Sequence, residues 1–123
     1  MLRELRARSS LRWFVDDDME LFVWFVDGRP VGFQLCYDRH TPFERAITWR
    51  EREGYQHDYV AAGDDSPLRN RTPTVQALPP GPEVDTVARA FEEAATAVDV
   101  AVRTFVLEKL RAYPTRLTLV AVS

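Results

Sequence analysis

The chain has 123 residues and 14.2 kDa, is 46% apolar and 28% charged, and carries a formal net charge of -3. That length fits one domain. Size scaling sets a folded surface of about 6,800 Å² against about 20,600 Å² for the extended chain, enough burial for one core without disulfide or metal staples. No apolar run reaches the roughly 18 residues of a membrane span, and Met1 to Leu11 holds four charges and no apolar leader core, so membrane insertion and secretion are not expected.

The single cysteine, Cys36, excludes an internal disulfide and any multi-cysteine zinc site, which fits a reducing cytosol. Fifteen of the sixteen basic residues are arginine. Guanidinium forks suit phosphate and carboxylate, yet nineteen acids outnumber the bases and interleave with them, as in Arg50-Glu51-Arg52-Glu53. A nucleic-acid footprint needs basic residues clustered without such compensation. Only Arg3, Arg6, Arg8 and Arg12, set against Glu4, come near that, and they read as a solvated terminal segment.

In chain order, Leu11 to Val15 reads as a short aromatic strand, ended by Asp16-Asp17-Asp18, which turns accept and strands disfavour. Glu20 to Val26 carries the strongest β signal. Asp27-Gly28 then predicts a tight hairpin into Val31 to Tyr37, because Gly tolerates positive φ cheaply, with either Asp27-Gly28 or Gly28-Arg29 at its tip. Pro30 lacks a donor and belongs at the start of its strand or at a bulge. A regular two-residue hairpin puts Phe22, Trp24, Val26, Val31, Phe33, Leu35 and Tyr37 on one face, the expected core face. The other face takes Leu21, Val23 and Phe25 with Gly32, Gln34 and Cys36. A bulge reverses that parity.

Glu44 to Arg50 predicts a further strand and Tyr55 to Val60 its return. The segment 61–82, rich in Gly, Asp, Ser, Asn and Pro, reads as a surface loop with one extended stretch at Thr74 to Leu78. Glu83 to Tyr113 predicts one long helix, with Pro82 at its start, Lys109 and Arg111 near its negative end and Pro114 as its stop. Its apolar stripe is Val84, Val87, Ala88, Phe91, Ala95, Val98, Val102 and Phe105. Past Arg103 the opposite side continues as Val106, Leu107 and Leu110. Such a helix spans about 45 Å against about 23 Å for a seven-residue strand, so its apolar end overhangs the sheet. Either the tail Thr115 to Val122 or a second copy must cover it, and a symmetric dimer is expected.

Chemical motifs are few. There is no phosphate-binding loop, dinucleotide fingerprint, metalloprotease helix or nucleophile elbow. His40 and His57 are the titratable candidates near neutrality. His57 and Asp58, with Tyr55, Tyr59 and Arg50, are the residue types that line a polar pocket, and Asp38, His40 and Glu44 those that gather carboxylates around an imidazole. The meander puts the two histidines at opposite ends of the sheet, so they share no metal. Asp16-Asp17-Asp18 with Glu20 lacks calcium-loop spacing and reads as a turn. Cys36 reads as inert packing. Trp13, Trp24 and Trp49 serve as base-stacking platforms only on an open, basic-flanked face, and with Trp24 on the core face, core packing is expected.

The sequence therefore predicts a single α+β domain over 1–123: an antiparallel β-meander of four to five strands (1–60) packed on one long C-terminal α-helix (83–113). A Pro/Gly-rich surface loop (61–82) joins them, and 114–123 is a tail or added strand. The expected function is a small cytosolic interaction or assembly protein, homodimeric through Phe105, Val106, Leu107 and Leu110, with no cofactor, metal or membrane partner and nucleic acid the least favoured partner. The alternative is a ligand-binding domain or enzyme with a polar pocket between sheet and helix, formed by His57, Asp58, Tyr55 and Arg50. Whether the chain is an enzyme stays open; His57, Asp58 and His40 would be the catalytic candidates.

Overall fold

Asp27 and Gly28 take φ of 51° and 79°, the two positive values that a two-residue hairpin turn of this sequence requires. The computed structural model describes residues 1–41, 44–59 and 81–113. Around the hairpin it places β1 (Arg3–Ala7), β2 (Leu11–Val15), β3 (Met19–Val26), β4 (Arg29–Tyr37), β5 (Arg45–Arg50) and β6 (Gly54–Tyr59), followed by α1 (Gly81–Ala94) and α2 (Val100–Arg111). The six strands form one antiparallel sheet in sequence order. The α+β class and the meander agree with expectation. The stretch 61–80 and the tail 114–123 lie outside the described residues.

The strand absent from the sequence reading is β1. Its five residues, RELRA, are all exposed at the sheet edge, so no buried alternation marks them as a strand. Backbone pairing with β2 holds it in place, and Arg12 donates to both carboxylate oxygens of Glu4 at 2.7 and 2.9 Å. Arg3 and Arg6, read as part of a solvated basic segment, thus lie on an edge strand whose charges guard an open ladder.

The predicted face assignment is overturned. Val26 pairs with Arg29 and Phe25 with Pro30, but Trp24 pairs with Gly32. Val31 is the extra residue of a β-bulge, next to the proline that cannot donate to the ladder. Its carbonyl instead accepts from the Glu51 amide at 3.0 Å. Beyond the bulge the parity flips, and Leu21 pairs with Leu35 and Val23 with Phe33. These residues join Phe14, Met19, Tyr37 and Ile47 in the core beneath the helices. Trp24, Phe22 and Trp13 go to the opposite face, where the last two stack with centroids 5.7 Å apart.

The single long helix is also corrected. The chain leaves helical geometry after Ala94 and re-enters at Val100, with Asp99 in an extended N-cap conformation (φ -46°, ψ 134°). Thr96, Val98 and Asp99 are poor interior helix residues, and Asp suits a cap. Two helices of 14 and 12 residues span about 21 and 18 Å, close to the length of the strands they cover, so nothing overhangs. The Leu2 amide donates to the Ala94 carbonyl at 2.7 Å and ties the end of α1 to the start of the sheet. On α2, Phe105 packs edge-on against Phe33 and Trp49.

Val106, Leu107 and Leu110, expected to need a second copy, are 0%, 6% and 1% exposed within the one chain, and Phe105 packs against the same core. The proposed dimer contact loses its physical ground, because folding the helix back on itself covers the apolar end. Among the described residues no helix is long and apolar enough to cross a membrane.

Two substitutions test this architecture. A Cβ on Gly32 would stand 2.8 Å from the Trp49 carbonyl oxygen, a backbone atom that cannot swing aside. Gly32→Ala should therefore cost about 1–3 kcal/mol and lower Tm by at least about 4 °C in a thermal melt. Leu110→Ala should cost about 2–5 kcal/mol in chemical denaturation; a loss near zero would contradict its burial under α2.

Candidate functional site

The pocket expected around His57 and Asp58 is divided by the sheet itself. Adjacent strand residues point to opposite faces. His57 and Tyr55 face the helices, whereas Asp58 and Arg50 belong to the other face, Asp58 opposite Ala46 and Arg50 opposite Gly32. His57 is fully buried, its Nε2 in hydrogen-bond contact with the Tyr37 hydroxyl and its ring edge-on to Tyr113 at 5.8 Å. Tyr55 packs edge-on to Tyr113 and donates its hydroxyl to the Lys109 carbonyl at 2.7 Å, while burial pushes its phenol pKa up. This is an aromatic seam that joins β4 and β6 to the end of α2. The side chain of Tyr59 lies outside the described residues.

His40 is exposed, with Asp38, on a connection where both take positive φ (66° and 56°). The aspartate run before β3 is a turn: Asp16 Oδ1 accepts from the amides of Asp18 and Met19, each at 2.7 Å, and its carbonyl accepts from Arg39. Among the described residues no group of three or more His, Cys, Asp or Glu is arranged to hold a metal ion. Cys36 is buried mid-strand.

The face turned away from the helices holds what the sequence reading missed. Over β4 and β5 it carries a buried polar row, in which the Thr48 hydroxyl donates to the Gln34 side-chain Oε1 at 3.1 Å. Toward the β3–β4 and β5–β6 turns the row ends at Gly32, flanked by Trp24 on β3 and Arg50 on β5. With no side chain between them, the Arg50 guanidinium lies over the Trp24 ring, 4.2 Å from its centroid. A hollow of about 430 Å³ opens there, lined also by Val26, Val31, Arg29 and the turn residues Glu51 to Glu53. That volume is within the range of small-molecule sites, and a mostly apolar floor with a few placed polar groups is their usual make-up.

Charge is unevenly committed around this hollow. Arg29 and Glu51 form a two-pronged pair that bridges the two hairpin turns, one prong at 3.2 Å and the other closer. Hydrogen bonding to Arg29 holds the Glu51 carboxyl below its ordinary range, and the same bond raises the Arg29 guanidinium. Among the described residues the ion pair of Arg50 is a looser one, Nε to Glu53 at 3.4 Å, with the two side chains 42% and 70% exposed. Pro30 was the one sequence signal for this site, since a bulge beside it puts Trp24 and Gly32 outside.

Comparison with protein-family models, with curated proteins and with solved structures gives no match to this chain.

The Arg29–Glu51 pair yields a measurable titration. Because the Glu51 pKa is lowered in the folded state, the small stabilisation from the pair is complete above the ordinary glutamate pKa and fades as pH falls through the lowered value. Carboxyl NMR should find Glu51 titrating below the ordinary glutamate range in the wild type and moving back toward that range in Arg29→Ala.

Proposed function

We propose that this protein works by binding, as an interaction or ligand-binding domain, and that its ligand enters the hollow on the sheet face opposite α1 and α2. The observation that carries this reading is the Arg50–Trp24 stack across Gly32. A half-buried tryptophan beside a residue that can have no side chain is a flat apolar surface, and aromatic and arginine side chains contribute heavily at binding hot spots. The hollow is also built on strands rather than on a loop, with the Arg29–Glu51 clamp at its rim, which favours a preformed site.

This reading moves the ligand away from His57 and Asp58. Those two residues face different layers, and His57 is engaged with Tyr37 and Tyr113. The reading rests on no second copy of the chain.

A screen of small planar compounds against the isotopically labelled chain tests it. Shifts should gather on the Gly32, Val31 and Arg50 amides and on the Trp24 indole N–H, and Trp24→Ala should weaken every hit at least tenfold while leaving far-UV circular dichroism unchanged. Hits that gather on Tyr55 and His57 instead, or that ignore Trp24→Ala, would overturn it.

A further inference from the structure

The way Arg50 is held says what the hollow takes, given that the hollow is the binding site as proposed above. The Arg50 guanidinium carbon lies over the Trp24 ring, 4.2 Å from its centroid, a cation–π contact that restrains where the group sits. The in-plane N–H donors are left for an acceptor. Glu53 meets Nε at 3.4 Å, and among the described residues no acceptor reaches either Nη group. Arg29, by contrast, spends its fork on Glu51. Around one hollow, then, one guanidinium is saturated and one is oriented but largely unspent, with Arg52 adding a further positive charge at the rim.

We propose that the hollow binds a flat aromatic ring carrying a carboxylate or a phosphate. The ring lies in the apolar part of the hollow formed by Trp24, Val26 and Val31, beside Gly32, and the anionic group accepts from the Arg50 fork and displaces the loose Glu53 contact. Arg50 and Trp24 act together. The tryptophan holds the guanidinium over its ring, and a charge-assisted bond to an anion is stronger than one to a neutral acceptor. A neutral ring would keep the apolar contact and lose that bond. A cationic ring would meet Arg50 and Arg52 at close range.

Two matched pairs of probes test this on the full chain: uridine 5′-monophosphate against uridine, and indole-3-acetate against indole-3-ethanol. Binding is read from amide shifts at Gly32 and the Trp24 indole N–H. In at least one pair the anionic member should bind at least tenfold more tightly, and its affinity should fall as sodium chloride is raised. The pair that shows the preference identifies the anion, phosphate in the first and carboxylate in the second. Arg50→Gln should abolish the preference, leaving the anionic and neutral members of the pair with equal affinity in that variant, and Arg50→Lys, which keeps charge but not the fork, should leave a reduced preference. Equal affinity within both pairs, or a preference that survives Arg50→Gln, overturns the anion while leaving the hollow as a binding site. No shift at Gly32 or Trp24 with any probe or with the planar screen overturns both.

Discussion

The extra residue at Val31 decides which side chains meet in the core. Strands alternate sides every residue, so one unpaired position in β4 reverses the sense of everything beyond it. On the near side of the bulge Val26 pairs with Arg29; on the far side Leu21 pairs with Leu35. Without that insertion Trp24 and Phe22 would lie with Phe33 and Leu35 against the helices, and Leu21 and Val23 would share a face with Gln34 and Cys36. With it, Leu21 and Val23 reach the interior, and Phe22 and Trp24 are turned to the opposite face. The composition of both faces follows from one residue, and so does the existence of a tryptophan beside Gly32 on the outside.

The helical layer is cut to the sheet by the same logic of length. A continuous rod of about thirty residues cannot be covered by strands of six to nine residues. The chain breaks at Ala95 to Asp99, and the polar stripe that becomes apolar after Arg103 then has an interior to face. Val102, Val106, Leu107 and Leu110 are the buried residues of α2, a set that makes sense only after the reversal. Read along a straight helix, the same residues look like surplus apolar surface, which is how an apparent need for a second chain arises.

Most of the sheet was legible in the sequence because local signals and the fold agree there. Asp27-Gly28 has one cheap conformation, and the predicted runs 11–15, 20–26, 31–37, 44–50 and 55–60 correspond to β2 through β6, the last described as far as Tyr59. Two features were not legible, for different reasons. The strand β1 has no buried side of its own, so its place in the sheet is a matter of backbone hydrogen bonds that leave no pattern in side-chain type. The bulge was signalled by Pro30, but the residue that absorbs it depends on the fit of β4 against both β3 and β5, which is tertiary information. The candidate site inherited that second difficulty. Trp24, Gly32 and Arg50 are adjacent only across strands, and the parity that joins them is the parity a regular hairpin denies.

The charges at the hairpin turns make most sense as a division of labour rather than as a source of stability. Solvent-exposed ion pairs contribute little to folding, and Arg29 and Glu51 are 60% and 45% exposed. What their pairing does is join the β3–β4 turn to the β5–β6 turn across the mouth of the hollow, while removing one arginine and one glutamate from competition for a ligand. Arg50 is then the guanidinium with an unspent fork there, and its long side chain would sample many rotamers if it stood alone. Lying over Trp24, which is possible because Gly32 leaves the space between them open, restricts that freedom before any ligand arrives. The ordering cost that a flexible arginine normally meets on binding is met in part by the fold. A backbone requirement, the close approach of Gly32 to the Trp49 carbonyl, thus becomes the condition for a restrained cation on the sheet face turned away from α1 and α2.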